Sequence, residues 1–207
     1  MSADVVLRLN KCTDLQKRLQ FQLIFHCAPF LKGAKGASLI ILDRSMEKPL
    51  LKLLKDTDIS CHTIHLNHKR CGFYLYRKDV LVKILSDESV QIFLNRFGYG
   101  LYGDISIGQL PAILNFLTNR VIFSMETNNT FAHEIGVFLG YPIADVVSFC
   151  DDDLDKSLFI GYWRVFHEPK KAMDTFHLYD KLKDEAFKEF DSGLSFREIA
   201  NCVYYAA

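Results

Sequence analysis

The chain has no excess of charge of either sign, and this limits the partners that it can attract. Of its 207 residues, 25 are lysine or arginine and 25 are aspartate or glutamate, so the formal net charge is zero. Proteins that bind nucleic acids or anionic membranes by electrostatic attraction need a basic surface. We therefore expect neither a nucleic acid nor a membrane among its partners.

Long apolar runs and an export signal are also missing. A membrane-spanning helix needs about 18 or more apolar residues in succession, and polar side chains such as Asn115 and Arg120 interrupt even the most apolar stretch. The first residues include an acid and lack the basic region, apolar run and cleavage site of a signal peptide. These features predict a cytoplasmic protein.

Cysteine is present but not in the pattern of a disulfide framework. The chain is 49% hydrophobic and long enough to bury a substantial core without disulfide bonds. Its cysteines are widely scattered, so free thiols are expected. They are Cys12, Cys27, Cys61, Cys71, Cys150 and Cys202. The length fits one globular domain over residues 1–207 better than two.

The spacing of apolar residues predicts both helices and strands. Residues 37–42 and 61–66 have strand character, residues 47–55 between them have helical spacing, and residues 72–76 should pair with the second strand as a hairpin. Helical spacing then predominates through residues 78–123.

The last part of the chain adds one more strand and two more helices. Residues 158–166 are rich in aromatic and branched side chains, which predicts a strand that closes the sheet. Pro169 begins a long helix, and Gly193 separates it from the last one. The sequence thus predicts an α+β fold, with a small mixed sheet of about four strands flanked by several helices.

Residues 131–140 predict a short helix that carries His133 and Glu134 in its first turn. Thr130 can cap its N-terminus, and Gly140 can end it. Because the positive end of a helix dipole disfavours imidazolium, His133 should be neutral near pH 7. A structural role fits equally well, with Glu134 stabilising the dipole and His133 bonded to a backbone carbonyl.

Cys27 is the strongest candidate for a nucleophile. Pro29 should end the first helix near His26 and begin a second short helix, which would place Cys27 close to a helix N-cap. The amides there, with Lys32 or Lys35, would favour the thiolate.

A thiolate nucleophile also needs a base. His133 can approach Cys27 in space, whereas neighbouring side chains on a helix diverge, which makes His26 a poor base. Glu134 or Asp145 would orient the His133 imidazole. The alternative is that Cys27 is simply part of the core, as most cysteines are.

Arg164 stands between aromatic residues on one face of the predicted strand. Tyr162 and Phe166 alternate with Trp163, so this face suits stacking or carboxylate binding. An arginine near Tyr141 and His133 would suit an anionic ligand. The alternative is that Trp163 fills the core and Arg164 meets an acidic helix partner.

Two cofactor and metal motifs are incomplete. Cys61, His62, His65, His68 and Cys71 are metal-ligand types, but on a strand His62 and His65 would point to opposite faces. The pair His133-Glu134 lacks the second histidine of a zinc peptidase, because position 137 is valine. No nucleotide-binding glycine loop is present, and we predict no cofactor and no metal.

Three sequence blocks carry a resemblance to a known family. They are His-Cys-Ala-Pro at 26–29, His-Glu-Ile-Gly-Val-Phe-Leu-Gly-Tyr-Pro at 133–142 and Gly-Tyr-Trp-Arg-Val at 161–165. The blocks occur in the same order in a bacterial domain-of-unknown-function family, DUF3793, which the chain resembles and whose members have similar length. The resemblance implies no established activity. Phe159 replaces a cysteine that is common in the family, which argues against a site that needs a thiol there.

These observations lead to two functional expectations. The first is a binding domain for a small molecule or a partner protein, with a pocket near Cys27 and His133 and with His26, Tyr141, Asp145 and Arg164 as ligand-binding residues. The second is a cysteine-dependent enzyme for acyl transfer or hydrolysis that uses Cys27, His133 and Glu134. The absence of a complete catalytic motif favours the first. The oligomeric state does not follow from the sequence.

Overall fold

The computed structural model describes residues 14–127, 131–152 and 154–201. It has the predicted α+β fold, in which helices predominate over two small antiparallel sheets. The elements of the first half are α1 (Leu15–Leu31), β1 (Ala37–Asp43), α2 (Glu47–Leu54), β2 (Ser60–His65), β3 (Arg70–Tyr76), α3 (Lys78–Leu85) and α4 (Glu88–Asn95). Those of the second half are α5 (Leu110–Thr127), α6 (Ile135–Phe138), α7 (Ile143–Cys150), β4 (Phe159–Ile160), β5 (Arg164–Val165), α8 (Pro169–Asp191) and α9 (Phe196–Asn201).

The chain divides into two compact units. Unit 1 combines residues 14–75 with 177–201, and unit 2 consists of the described residues of 76–176. The chain therefore leaves unit 1 once, forms unit 2 and returns. Two units of one chain can fold together or separately, so the single domain expected from the sequence stays a prediction.

The first helix is longer than the sequence predicts. Asp14 caps it by accepting hydrogen bonds from the amides of Gln16 (2.9 Å) and Lys17 (3.2 Å), and the helix continues through Pro29 to Leu31. The expected break and second short helix are wrong. Although Pro29 lacks an amide hydrogen, the residues on either side of it are buried in the core, and this packing offsets the lost hydrogen bond.

The three strands of unit 1 form a sheet in the order β1-β3-β2. The hairpin predicted between β2 and β3 is confirmed, and the amides of Leu66 and Asn67 both donate to the Arg70 carbonyl at 3.2 Å in its turn. The inner strand β3 is buried along nearly its whole length, from Cys71 to Tyr76. Helix α1, α2 and this sheet share one core, which includes Leu23, Cys27, Leu50 and Phe73.

Unit 2 holds the second sheet, which differs from the prediction. The chain turns at Gly161, whose amide donates to the Trp163 carbonyl at 3.0 Å. Residues 158–166 therefore form two short strands, with Phe159 opposite Val165 and Ile160 opposite Arg164. This hairpin is a separate two-stranded sheet, so the prediction that a late strand closes a four-stranded mixed sheet is wrong.

Helix boundaries in unit 2 follow local signals in the sequence. Asp87 caps α4 through the amides of Ser89 (2.9 Å) and Val90 (3.2 Å). Before α5, the Ser106 amide donates to the Gln109 side chain at 2.8 Å. Within the described residues, none of the helices combines the length and apolar character needed to cross a membrane.

Candidate functional site

A cavity of about 200 Å³ lies within unit 2. Its walls come from the segment around α6, from α7 and from the β4–β5 hairpin, and they are mainly apolar. The lining residues are His133, Ile135, Gly136, Leu139, Tyr141, Asp145, Val146, Phe149, Trp163 and Arg164. Four of the predicted site residues thus meet here: His133, Tyr141, Asp145 and Arg164.

The turn between α6 and α7 brings the cavity walls together. Gly140 ends α6 with a φ of 75°, in the left-handed region that glycine adopts without strain. The Tyr141 amide then donates to the Gly136 carbonyl at 3.0 Å. Gly136 itself faces α7 so closely that an added Cβ would lie 3.0 Å from Val146 Cγ2. The absence of a side chain at 136 permits this approach.

Asp145 joins α7 to the β4–β5 hairpin. Its side chain is buried, at 2% exposure. Oδ2 accepts a hydrogen bond from Trp163 Nε1 at 2.7 Å, while Oδ1 accepts from the amides of Phe166 (3.0 Å) and His167 (2.8 Å). Because three donors already bind its two oxygens, the carboxylate is a structural anchor of the cavity wall. It was predicted as a ligand-binding residue or as the group that orients His133.

Aromatic rings form much of the cavity wall. Tyr141 stacks on Trp163 with 5.5 Å between ring centroids and 29° between planes. Phe176 lies in the part of α8 that belongs to unit 2, and its ring meets Trp163 edge-on, with 4.5 Å between centroids and 81° between planes. Burial raises the pKa of the Tyr141 hydroxyl, so this side chain is uncharged at neutral pH.

His133 is half-buried, and its ring lies edge-on to Phe149 at 4.7 Å. Burial lowers the pKa of the imidazole below 6.5, and the charge of Glu134 partly opposes this shift. The imidazole is therefore neutral at pH 7, as predicted, but the cause is desolvation. The expected effect of a helix dipole on His133 is wrong, because α6 has only four residues and begins after its N-cap, Glu134. The predicted cap Thr130 lies outside the described residues.

Arg164 lies on β5 and is half-buried at the cavity. Its Nη1 donates to the Ser157 hydroxyl at 3.1 Å. The acidic helix partner considered in the sequence analysis is not found among the residues that the structure describes. The guanidinium is thus hydrogen-bonded to an uncharged partner, the Ser157 hydroxyl.

Glu134 is adjacent to His133 in sequence but belongs to a different contact network. Its buried carboxylate, at 1% exposure, forms an ion pair with Arg120 Nε on α5 and accepts a hydrogen bond from the Tyr99 hydroxyl at 3.4 Å. Burial and the Glu134 charge raise the pKa of Tyr99. These contacts connect α6 with α5, and Glu134 does not line the cavity.

Cys27 belongs to unit 1, where it is 1% exposed. It lies inside α1 and not at a helix N-cap, which contradicts the predicted location. Burial raises the pKa of its thiol to about 11, although a hydrogen bond with Ser38 and the charge of Lys35 partly oppose this shift. The prediction that Cys27 is a thiolate at neutral pH is therefore wrong, because a group with this pKa stays protonated there. The partnership of Cys27 with His133 stays a prediction, since the two residues belong to different units.

Two further predicted sites lie in unit 1. His26 is exposed on α1, and its ring meets Phe25 edge-on at 4.7 Å. On the hairpin, His65 Nδ1 lies 3.3 Å from Cys71 Sγ across the strands. Among the described residues, no three histidine, cysteine or acidic side chains lie close enough together to hold a metal ion.

The apolar half of the cavity could not be predicted from the sequence. Ile135, Leu139, Val146 and Phe149 have the spacing of ordinary core residues, and no sequence signal distinguishes the wall of a cavity from a filled core. Trp163 was assigned to the core alone, whereas it is both buried and part of the wall.

Comparison with known proteins gives a family but no activity. The chain has no match among curated proteins, and none among solved structures. A family model described as protein of unknown function (DUF3793) matches residues 23–200, which include all the cavity-lining residues. The chain therefore belongs to the DUF3793 family of proteins of unknown function.

Proposed function

We propose that this protein binds a small organic molecule in the cavity of unit 2. The observation that carries the proposal is the convergence of His133 and Tyr141, from the two ends of α6, and of Arg164, from β5, on one mainly apolar cavity. A concave apolar site with a few convergent polar groups is the usual form of a small-molecule site.

The polar groups at the cavity suit binding better than catalysis. The neutral imidazole of His133 can accept or donate one hydrogen bond, and Arg164 carries a fixed positive charge. Asp145, the remaining charged residue of the wall, already accepts three hydrogen bonds. The second expected activity, a cysteine enzyme, has no support from Cys27, whose thiol is buried and has a pKa of about 11.

A thermal-shift screen with small organic fragments tests the proposal. Leu139 is half-buried in the cavity wall, and Leu139→Trp should fill the space that a ligand needs. Leu158→Trp is the matched control, since Leu158 is 53% exposed in the same unit. We expect fragments that raise the melting temperature of the wild type and the control by a few degrees but do not stabilise Leu139→Trp.

Two further variants identify the polar contacts. With His133→Ala, stabilisation by the same fragments should decrease, and with Arg164→Ala, stabilisation by the anionic ones among them should decrease. Equal stabilisation of the wild type, both alanine variants and Leu139→Trp would place the binding elsewhere and overturn the proposal.

A further inference from the structure

We propose that the ligand is a small aromatic carboxylate, with its carboxylate on Arg164 and its ring against Tyr141, Phe149 and Trp163. This inference rests on the proposed function and adds the chemical class of the ligand. It follows from the size of the cavity, the nature of its walls and its charge.

The size of the cavity matches the volume of about one ring. An apolar cavity of about 150 Å³ in another protein is sufficient for benzene. The cavity of unit 2 measures about 200 Å³. The additional space corresponds to a small substituent, such as a carboxylate.

The walls favour an aromatic ring over a flexible chain. Tyr141 and Trp163 stack on each other, and Phe149 meets His133 edge-on. Rings in these orientations present both faces and edges, with which a further aromatic ring makes favourable offset or edge-to-face contacts. A flexible aliphatic ligand would gain apolar burial but would lose more conformational entropy on binding.

The charge at the cavity favours a carboxylate. Arg164 is half-buried, binds the neutral Ser157 hydroxyl at 3.1 Å, and forms an ion pair with no carboxylate in the described part of the chain. Its planar guanidinium has five N–H donors, which suit two parallel hydrogen bonds to one carboxylate. Asp145 does not take this role, because its oxygens bind Trp163 and two backbone amides.

A single cation also distinguishes a carboxylate from a phosphate. Among the described residues that line the cavity, Arg164 is the one arginine or lysine, and His133 is neutral at pH 7. A phosphate dianion normally requires several cations or a set of backbone amides at the N-terminus of a longer helix. One guanidinium matches the single charge of a carboxylate.

Titration calorimetry with benzoate and benzamide tests the class of ligand. The two probes have similar size and shape, but only benzoate is charged at neutral pH. We expect wild type to bind benzoate at least about tenfold more tightly than benzamide, as charge-assisted hydrogen bonds do relative to neutral ones. Arg164→Gln should remove this preference while changing benzamide affinity by less than about twofold.

Control variants keep the result interpretable. Arg96→Gln removes an exposed arginine of unit 2 that pairs with Asp151, and it should leave both affinities unchanged. Arg164→Lys keeps the positive charge but not the planar guanidinium, so it should retain part of the preference for benzoate over benzamide. Melting temperatures close to that of wild type would show that these variants are folded.

The outcomes separate this inference from the proposed function. Equal affinities of wild type for benzoate and benzamide, or an unchanged preference in Arg164→Gln, would overturn the carboxylate assignment and leave small-molecule binding intact. Failure of benzoate alone, with other fragments bound in the cavity, would do the same. Failure of every fragment in the thermal-shift screen would overturn both.

Discussion

At the residue scale, Asp145 holds the cavity together. Its buried carboxylate is bound by the Trp163 indole and by two consecutive backbone amides, so one side chain fixes α7 against the β4–β5 hairpin. Hydrogen bonds to a charged acceptor are stronger than neutral ones, and buried donors without an acceptor are costly. The position of Trp163 in the wall therefore depends on residue 145.

We predict that Asp145→Asn destabilises the protein by about 2 kcal/mol, because an amide offers one acceptor atom to three donors. Urea unfolding, followed by the fluorescence of the only tryptophan, measures the change. Asp151→Asn is the control, since Asp151 is exposed and its ion pair with Arg96 should be worth less than about 1 kcal/mol. Equal effects of the two substitutions would contradict the anchoring role.

The Cys27 thiol should be unreactive in the folded protein. A pKa of about 11, against the ordinary value of 9.0, leaves about a hundredfold less thiolate at pH 7.5. Because the shift is upward, alkylation should accelerate with pH throughout the range below the raised pKa, and burial slows it further.

Iodoacetamide labelling, followed by mass spectrometry of the peptide that contains Cys27, measures this reactivity. We expect labelling at least about a hundredfold slower than in the urea-unfolded chain at the same pH. The Cys27→Ala variant identifies the signal. Labelling of the folded protein as fast as that of the unfolded chain would contradict the burial of the Cys27 thiol. It would also support the alternative function, a cysteine-dependent enzyme.

Several residues of the cavity were identifiable from the sequence, but their roles were not. His133, Tyr141, Asp145 and Arg164 are polar or amphipathic residues in otherwise apolar segments, and this contrast singles them out. Their roles depend on partners distant in the chain. Asp145 is separated from the Trp163 indole by 18 positions, and no local pattern indicates that bond.

At the scale of elements, the cavity depends on how closely α6 approaches α7. An added Cβ at Gly136 would lie 3.0 Å from Val146 Cγ2 and 3.3 Å from Tyr141 Cδ2. Both neighbours line the cavity, so any shift that relieves this crowding also moves its wall. A single methyl group at this position should therefore affect both stability and binding.

We predict that Gly136→Ala lowers the free energy of unfolding by about 1 kcal/mol, as overpacking commonly does. Gly108→Ala is a matched control, because its added Cβ would meet only the Ser106 hydroxyl, at 3.9 Å. Chemical denaturation gives both values. A Gly136→Ala protein as stable as the control would show that α6 and α7 can separate without cost.

Local signals predict most elements, and packing over longer distances explains the exceptions. Turn residues alone predict the hairpin between β2 and β3, and Gly140 alone predicts the end of α6. Pro29 is a strong local signal for a helix end, yet burial in the core of unit 1 keeps α1 continuous. Likewise, the alternation in residues 158–166 predicts strands but not the partner with which they pair.

At the scale of the whole molecule, the chain passes between the two units within regular elements. The boundary at residues 75 and 76 lies in β3, and the boundary at residues 176 and 177 lies in α8. Strand β3 contributes only its last residue, Tyr76, to unit 2, whereas α8 has residues 169–176 in unit 2 and residues 177–191 in unit 1. We expect this shared structure to make unfolding cooperative.

Equilibrium unfolding in urea tests this cooperativity with one probe in each unit. Trp163 fluorescence reports on unit 2, and accessibility of the Cys27 thiol to alkylation reports on unit 1. The two midpoints should coincide, as in a two-state transition. Clearly separate midpoints would mean that the units unfold independently and would contradict the single domain predicted from length and composition.

The most direct test of small-molecule binding uses the indole signal of Trp163. As the only tryptophan, it gives one indole N–H peak in a ¹H–¹⁵N spectrum, and this N–H binds Asp145 in the cavity wall. We predict that single-ring fragments, benzoate among them, shift this peak and the Gly136 amide in a saturable manner. In Leu139→Trp, whose second indole adds a peak of its own, the Gly136 amide should not respond. If no fragment shifts the wild-type peak at millimolar concentration, the cavity is not a binding site.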